Sequence, residues 1–134
     1  SDKYLFFDLG VRRLAAREGT GPSRETLGRL FEHFIGLELL RAAHALQPST
    51  RIRFWRDPDG PEVDWVIDRE GVYIPIEVKW TDTPAKAHIR HLEIFLAEYP
   101  TAREGFLICQ VPRKTRLSDQ IIALPWQDLP TLWE

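Results

Sequence analysis

PEVDWVIDREGVYIPIEVKW, residues 61–80, is the stretch whose reading decides the fold. It reads as two short strands joined by a turn at Glu70-Gly71. Side chains on a strand alternate between faces with a period of two. Val63, Trp65 and Ile67 are therefore expected on one face of the first strand, with Glu62, Asp64 and Asp68 on the other. In the second, Ile74, Ile76, Val78 and Trp80 point one way while Glu77 and Lys79 point the other. The apolar rows supply a face that packs on a core. The opposite face gathers Asp64, Glu77 and Lys79, two carboxylates and an ammonium, a set suited to holding a divalent metal against a phosphate.

Working outward, Arg51–Arg56 alternates charge and bulk and reads as a further strand. Asp57-Pro58-Asp59-Gly60 is a turn by composition, which makes a hairpin with the strand that follows. Upstream, Ser23 is a suitable N-cap for a long helix from about Arg24 to Leu46. Leu27, Leu30, Phe31, Phe34, Leu37, Ala42 and Ala45 recur on it at helical spacing. Downstream, Thr81-Asp82-Thr83-Pro84 reads as the start of a second helix, capped by Asp or Thr with Pro in its first turn. Ile89, Leu92, Phe95 and Leu96 share one of its faces, and Pro100 ends it. Gly105–Val111 is a buried strand, parallel to one of the first three because a helix crosses between them. Ile121–Leu124 is a last short strand, followed by a short helix over Leu129–Trp133. Tyr4–Phe7 reads as a strand and Val11–Arg17 as a helix. The outcome is an α/β fold, a mixed central sheet flanked by helices.

The chain has 134 residues, enough for one compact domain and few for two. No run approaches a membrane-spanning length, so no membrane partner is expected. The single cysteine, Cys109, has no partner for a disulfide within the chain, which favours a cytoplasmic setting. The sequence opens Ser-Asp-Lys and contains no methionine, so the expectation is a piece of a longer protein. A net charge of −2 lacks the bulk basicity of a dedicated nucleic-acid binder. Local basic clusters are present even so: Arg12, Arg13, Arg17, Arg24 and Arg29 in the N-terminal third, then Arg51, Arg53 and Arg56, then Arg113, Lys114 and Arg116. Singly, each reads as solvated surface.

Two helix acids stand out. Glu38 lies within the apolar stripe, where a carboxylate is costly unless paired or bound; a buried ion pair with an arginine is its plain structural reading. Glu32 lies on the flank of the stripe, where a solvated side chain is the ordinary outcome. For Asp64, Glu77 and Lys79 the equivalent reading is a cross-strand salt-bridge set worth about 0.2–1 kcal/mol per pair.

Taken together these residues resemble the PD-(D/E)XK nuclease superfamily. The order α-β-β-β-α-β matches, as does Asp64, then twelve residues, then Glu77-Val78-Lys79. The helix carries Gly28-x-x-x-Glu32-x-x-Ile35-x-x-x-Leu39, similar to the glutamate many of those nucleases place before the signature. More specifically, YLFFDLGVR, GRLFEHFIGLELL, FWRDPDGPEVDWVI with IPIEVKW, and ALPWQDLP look like the uncharacterised C-terminal domain of prokaryotic AAA+ ATPases. The resemblance covers nearly the whole chain, residues 1–134, as a single nuclease-like domain. Two positions depart from the superfamily pattern: Val63 replaces the naming proline, and the bulky Trp80 follows the motif lysine.

The resemblance implies a restriction-endonuclease-like core and metal-dependent phosphodiester hydrolysis, with DNA as the expected nucleic acid. Asp64 and Glu77 would bind Mg²⁺ or Mn²⁺, joined by the main-chain carbonyl of Val78 and by Glu32, with Glu38 as the fallback. Lys79 would orient a water and offset charge. His88 and His91, on the second helix, are weaker candidates to approach the phosphate. The expected partners are nucleic acid and an ATPase module of the same polypeptide. Two alternatives stay open. One is a catalytically inactive nuclease-fold domain that binds nucleic acid or a partner and regulates the ATPase. The other is an oligomerisation module, a homo-oligomer using Trp126, Leu129 and Trp133 as exposed surface.

Overall fold

Ser23 starts the first described element by accepting the Thr26 N–H on its Oγ at 3.1 Å, the ordinary way of satisfying an orphan amide at a helix start. The computed structural model describes residues 23–134; the strand expected at Tyr4–Phe7 and the helix at Val11–Arg17 lie outside them. The helix it caps, α1, spans Arg24–Leu46 and buries Phe31, Ile35, Gly36, Glu38, Leu39 and Ala43. The buried stripe is thus rotated from the expected one. Leu30 and Leu37 stand on the outer side, and Ile35 and Leu39 take the core positions.

Three strands follow, β1 (Arg51–Arg56), β2 (Glu62–Arg69) and β3 (Val72–Val78). Then come helix α2 (Lys86–Glu98), strands β4 (Gly105–Cys109), β5 (Thr115–Arg116) and β6 (Ile121–Pro125), and a terminal 3-10 helix (Trp126–Trp133). The sheet is mixed and six-stranded, in the order β1-β2-β3-β4-β6-β5. β1–β2 and β2–β3 pair antiparallel, whereas β3–β4 and β4–β6 pair parallel across helical or extended crossovers. The β2–β3 hairpin turns at Glu70 (φ 55°) and Gly71 (φ 91°). Positive φ at both central residues matches the strand twist in a two-residue hairpin. The Gly71 N–H donates to Asp68 Oδ1 at 2.9 Å, which holds the turn.

Each face of the sheet carries its own core. α1 and the terminal 3-10 helix cover one side, where Phe31, Ile35 and Leu39 meet Ile67, Ile76, Val78, Ile108 and Leu124. α2 covers the other, where Leu92, Phe95 and Leu96 meet Val63, Val66, Leu107, Ile121 and Ala123. β4 and β6 are buried along their whole length because both faces are covered.

Several expectations need correction. α2 begins at Lys86, after Pro84, and no Asp or Thr caps it; the His88 ring accepts the Ala85 N–H at 3.0 Å instead. β3 stops at Val78, so Lys79 and Trp80 lie just past its end, although the Lys79 N–H still donates to the Ile108 carbonyl at 3.0 Å. Val63 does not share a face with Trp65 and Ile67. The β1–β2 register runs from Arg53↔Val66 to Trp55↔Val63, which leaves one extra residue on β2 and inverts the alternation there. Val63 consequently packs on the α2 side while Trp65 packs on the α1 side. Trp126 and Leu129 are buried core residues rather than exposed association surface. Among the described residues no helix is long and apolar enough to cross a membrane.

Candidate functional site

The β2–β3 ladder ends, on its N-terminal β2 side, at Trp65↔Ile76. One residue further, Asp64 and Glu77 stand opposite each other, and their side chains take over from the backbone. The Asp64 N–H donates to Glu77 Oε1 at 3.0 Å, and the Val78 N–H donates to Asp64 Oδ2 at 2.9 Å. Each carboxylate thereby accepts a main-chain amide of the opposite strand. This reciprocal pair fixes both side chains on rigid elements and leaves a second oxygen on each acid outside these bonds. The bulge in β2 explains how Asp64 reaches this position beside residues of both faces.

Burial sets the electrostatics. Glu77 is only 5% exposed. Burial, followed by the Asp64 charge, pushes its carboxyl up to about 8. Asp64 is also raised, by burial above all, against the pull of the Val78 amide and Lys79. Glu32 reaches the same place from α1. Its carboxyl is raised by burial and then by the Asp64 charge, and lowered by Lys79. Lys79 is exposed and acts on all three acids. None of them lies within 4.0 Å ion-pair distance of it among the described residues. Among the described residues, Lys79 is thus the cation that offsets the charge of Glu32, Asp64 and Glu77.

The other sequence candidates lie apart from this cluster. Glu38 is buried and pairs with Arg41 at 3.1 Å, beside a groove lined by Ala42, Leu129 and Trp133. His88 serves as the cap of α2. The Nδ1 of His91 lies 2.8 Å from the Glu62 carbonyl oxygen and 3.3 Å from its amide nitrogen, which ties the ring to the start of β2. Trp80 turns toward α1 and meets Phe31 edge-on at 5.0 Å, in the core on that side. It sits beside Lys79 in sequence, yet its indole packs against the α1-side core.

Asp64 and Glu32 open onto a cleft of about 250 Å³ whose walls include Phe54, Arg56, Glu62 and Trp65. Phe54, on β1 opposite the bulge in β2, carries no site role in the sequence pattern. The seat of Trp65 is Gly36 of α1. A Cβ at Gly36 would stand 2.2 Å from Trp65 Cζ2, so only glycine lets the helix approach this close.

A family model described as "Domain of unknown function (DUF4143)" matches residues 27–129. The chain belongs to the DUF4143 family. The match takes in α1 from Leu27 onward, the whole sheet and the start of the terminal 3-10 helix, so every acid of the cluster falls inside the DUF4143 region. No curated protein matches the chain. Among solved structures, the chain is similar to one in the refined half-complex from the tetradecameric assembly of Thermococcus gammatolerans McrB AAA+ hexamers with bound McrC. That match has 17% identity and a TM-score of 0.46, and covers 72% of this chain. The chain spans 27% of the length of that solved chain.

Whether the residues suit Mg²⁺ or Mn²⁺ is a question of donor chemistry. Among the described residues, no three His, Cys, Asp or Glu side chains converge closely enough to form a ready-made cage. A closed structural site does not fit. Mg²⁺, however, keeps several waters and is commonly held by one or two carboxylates, and Asp64 with Glu77 supplies such a pair of hard oxygen donors. An open, water-rich site fits.

Proposed function

We propose that this DUF4143 domain is a metal-dependent phosphodiesterase acting on nucleic acid, DNA foremost, built on a restriction-endonuclease-like core. The observation that carries the reading is the Asp64–Glu77 pair, locked by reciprocal main-chain hydrogen bonds with Lys79 and Glu32 beside it. In this reading Asp64, Glu77 and the Val78 carbonyl hold the ion, and Glu32 acts on the open side directly or through a water. A bound Mg²⁺ or Mn²⁺ supplies Lewis acidity toward the phosphate and a more acidic water. The protein's own part is positional. Lys79, which has no close ion pair among the described residues, orients the attacking water and offsets negative charge that grows in the transition state. The buried surroundings of Glu77 strengthen each of these electrostatic contacts.

The resemblance of the sequence to domains that follow AAA+ ATPase modules supports an effector role driven by such a module in the same polypeptide, in the cytoplasm. The alternative is a nuclease-fold domain that binds nucleic acid or a partner and regulates the ATPase without cutting. Cleavage of DNA and RNA panels in Mn²⁺ separates the two. The first predicts cutting that Lys79→Ala reduces at least a hundredfold while Mn²⁺ binding persists. No cutting by the wild type, or equal cutting by the variant, contradicts it.

A further inference from the structure

Phe54 is the one exposed large aromatic side chain among the described residues. At 69% it is more exposed than any exposed aliphatic side chain, the nearest being Leu46 at 64%. A phenyl ring left in water forgoes hydrophobic stabilisation, and here the surrounding structure holds it out. Its neighbour Trp55 turns inward, donating from Nε1 to the Tyr99 hydroxyl at 3.1 Å and meeting Phe95 edge-on at 5.4 Å. Ile52 packs against the α1-side core. Phe54 itself falls in the bulge between Arg53↔Val66 and Trp55↔Val63, with no registered partner across the ladder. Among the described residues β1 is an edge strand, with no further strand paired beyond it.

The ring also lines the cleft onto which Asp64 and Glu32 open. Arg56 lines the same cleft. Its Nε lies 2.8 Å from Glu62 Oε2, with the two side chains 66% and 52% exposed. A solvated pair of this kind is weak, so the guanidinium can exchange Glu62 for a phosphate oxygen. A flat aromatic face, an exchangeable arginine and the carboxylates of Glu32, Glu62 and Asp64 therefore line one notch together. The flat faces of bases are hidden inside a duplex and free in a single strand, where stacking on an aromatic side chain tolerates any sequence.

We propose that Phe54 is a stacking platform for an unpaired base, and that this site takes single-stranded nucleic acid, or an unpaired segment of a longer one, with its phosphate on Arg56. The inference rests on the nuclease reading for what happens next to Asp64, and it deepens that reading by naming the substrate class. Phe54 is a positioning residue: it touches a base and leaves the reacting phosphate to the acids and Lys79.

The test is fluorescence anisotropy with labelled phosphorothioate strands, which resist hydrolysis, in Mg²⁺ buffer. DNA and RNA single strands are compared with duplexes of the same sequence, for wild type, Phe54→Ala and Phe54→Trp. The expected result is tighter binding of the single strands, loss of roughly tenfold in Phe54→Ala, and recovery in Phe54→Trp. The DNA and RNA arms show which backbone is preferred. Wild-type affinity in Phe54→Ala overturns the proposal and marks the ring as a surface for another kind of partner. Equal binding of duplex and single strand overturns it too. If stacking is lost in Phe54→Ala but ordinary strands are never cut, the platform stands and the nuclease reading falls. If Phe54→Ala binds and cuts as wild type does, the reverse holds.

Discussion

Glu77→Gln is expected to make the metal-free chain more stable at neutral and alkaline pH. In the fold the Glu77 carboxyl is pushed up to about 8 from an ordinary 4.5. Between those values the folded chain keeps a proton that the unfolded chain has released. Stability contributed by the protonated form is therefore fully present below pH 4.5 and is lost as pH rises toward 8. The slope is about 1.36 kcal/mol per pH unit, so from pH 5 to 7.5 this group removes about 3 kcal/mol. Glutamine copies the protonated acid: its amide oxygen can still accept the Asp64 N–H, and its NH₂ can donate to the Asp64 carboxylate. It does not titrate. Urea unfolding followed by tryptophan fluorescence, with EDTA present, at pH 5 and pH 7.5 gives the comparison. With an m-value of about 1–3 kcal/mol/M, the variant's midpoint should fall less than the wild type's over that interval, by at least about 1 M. Groups away from the site largely cancel in this double difference, whereas Asp64, whose charge helps to raise Glu77, is counted together with it. Parallel pH dependence in the two proteins, or a wild type that gains on the variant as pH rises, would refute the reasoning.

Gly36→Ala places a methyl 2.2 Å from Trp65 Cζ2 and forces the indole or the helix to move; a loss of about 1–3 kcal/mol in urea unfolding is expected. A variant as stable as wild type would show that α1 does not press on β2 at this point. Glu32→Gln is expected to weaken Mn²⁺ affinity several-fold by calorimetry, whereas Glu38→Gln leaves it unchanged, since Glu38 is engaged with Arg41 at 3.1 Å away from the acid pair. Equal effects would contradict the separation of the two glutamates.

Period and punctuation carried the architecture. Ser23 marked the start of α1, the Pro-Gly turn at 57–60 marked the β1–β2 hairpin, and the apolar run at 105–109 marked a strand covered on both faces. They also brought Asp64 opposite Glu77, because two antiparallel strands with a two-residue turn leave one register. What stayed hidden has local causes. A bulge inserts one residue without changing composition, so strict alternation misplaced Val63 and gave no warning that Phe54 would stand free. β5 is two residues long, below any periodic signal. The burial of Trp126 and Leu129 depends on α1 lying over the same sheet face, which no local pattern near them records. The helix acids were ambiguous for a similar reason: Glu38 falls within the stripe and Glu32 on its flank, and only the rotation of α1 seen in the fold aims Glu32 at Asp64.

The most direct measurement is isothermal titration of Mn²⁺ into the chain at pH 8.5, where Glu77 can lose its proton, for wild type, Asp64→Asn and Glu77→Gln. A single saturable site in the wild type, lost in both folded variants, is the predicted result. No binding by the wild type, or binding that survives both substitutions, would contradict a metal centre at the Asp64–Glu77 pair.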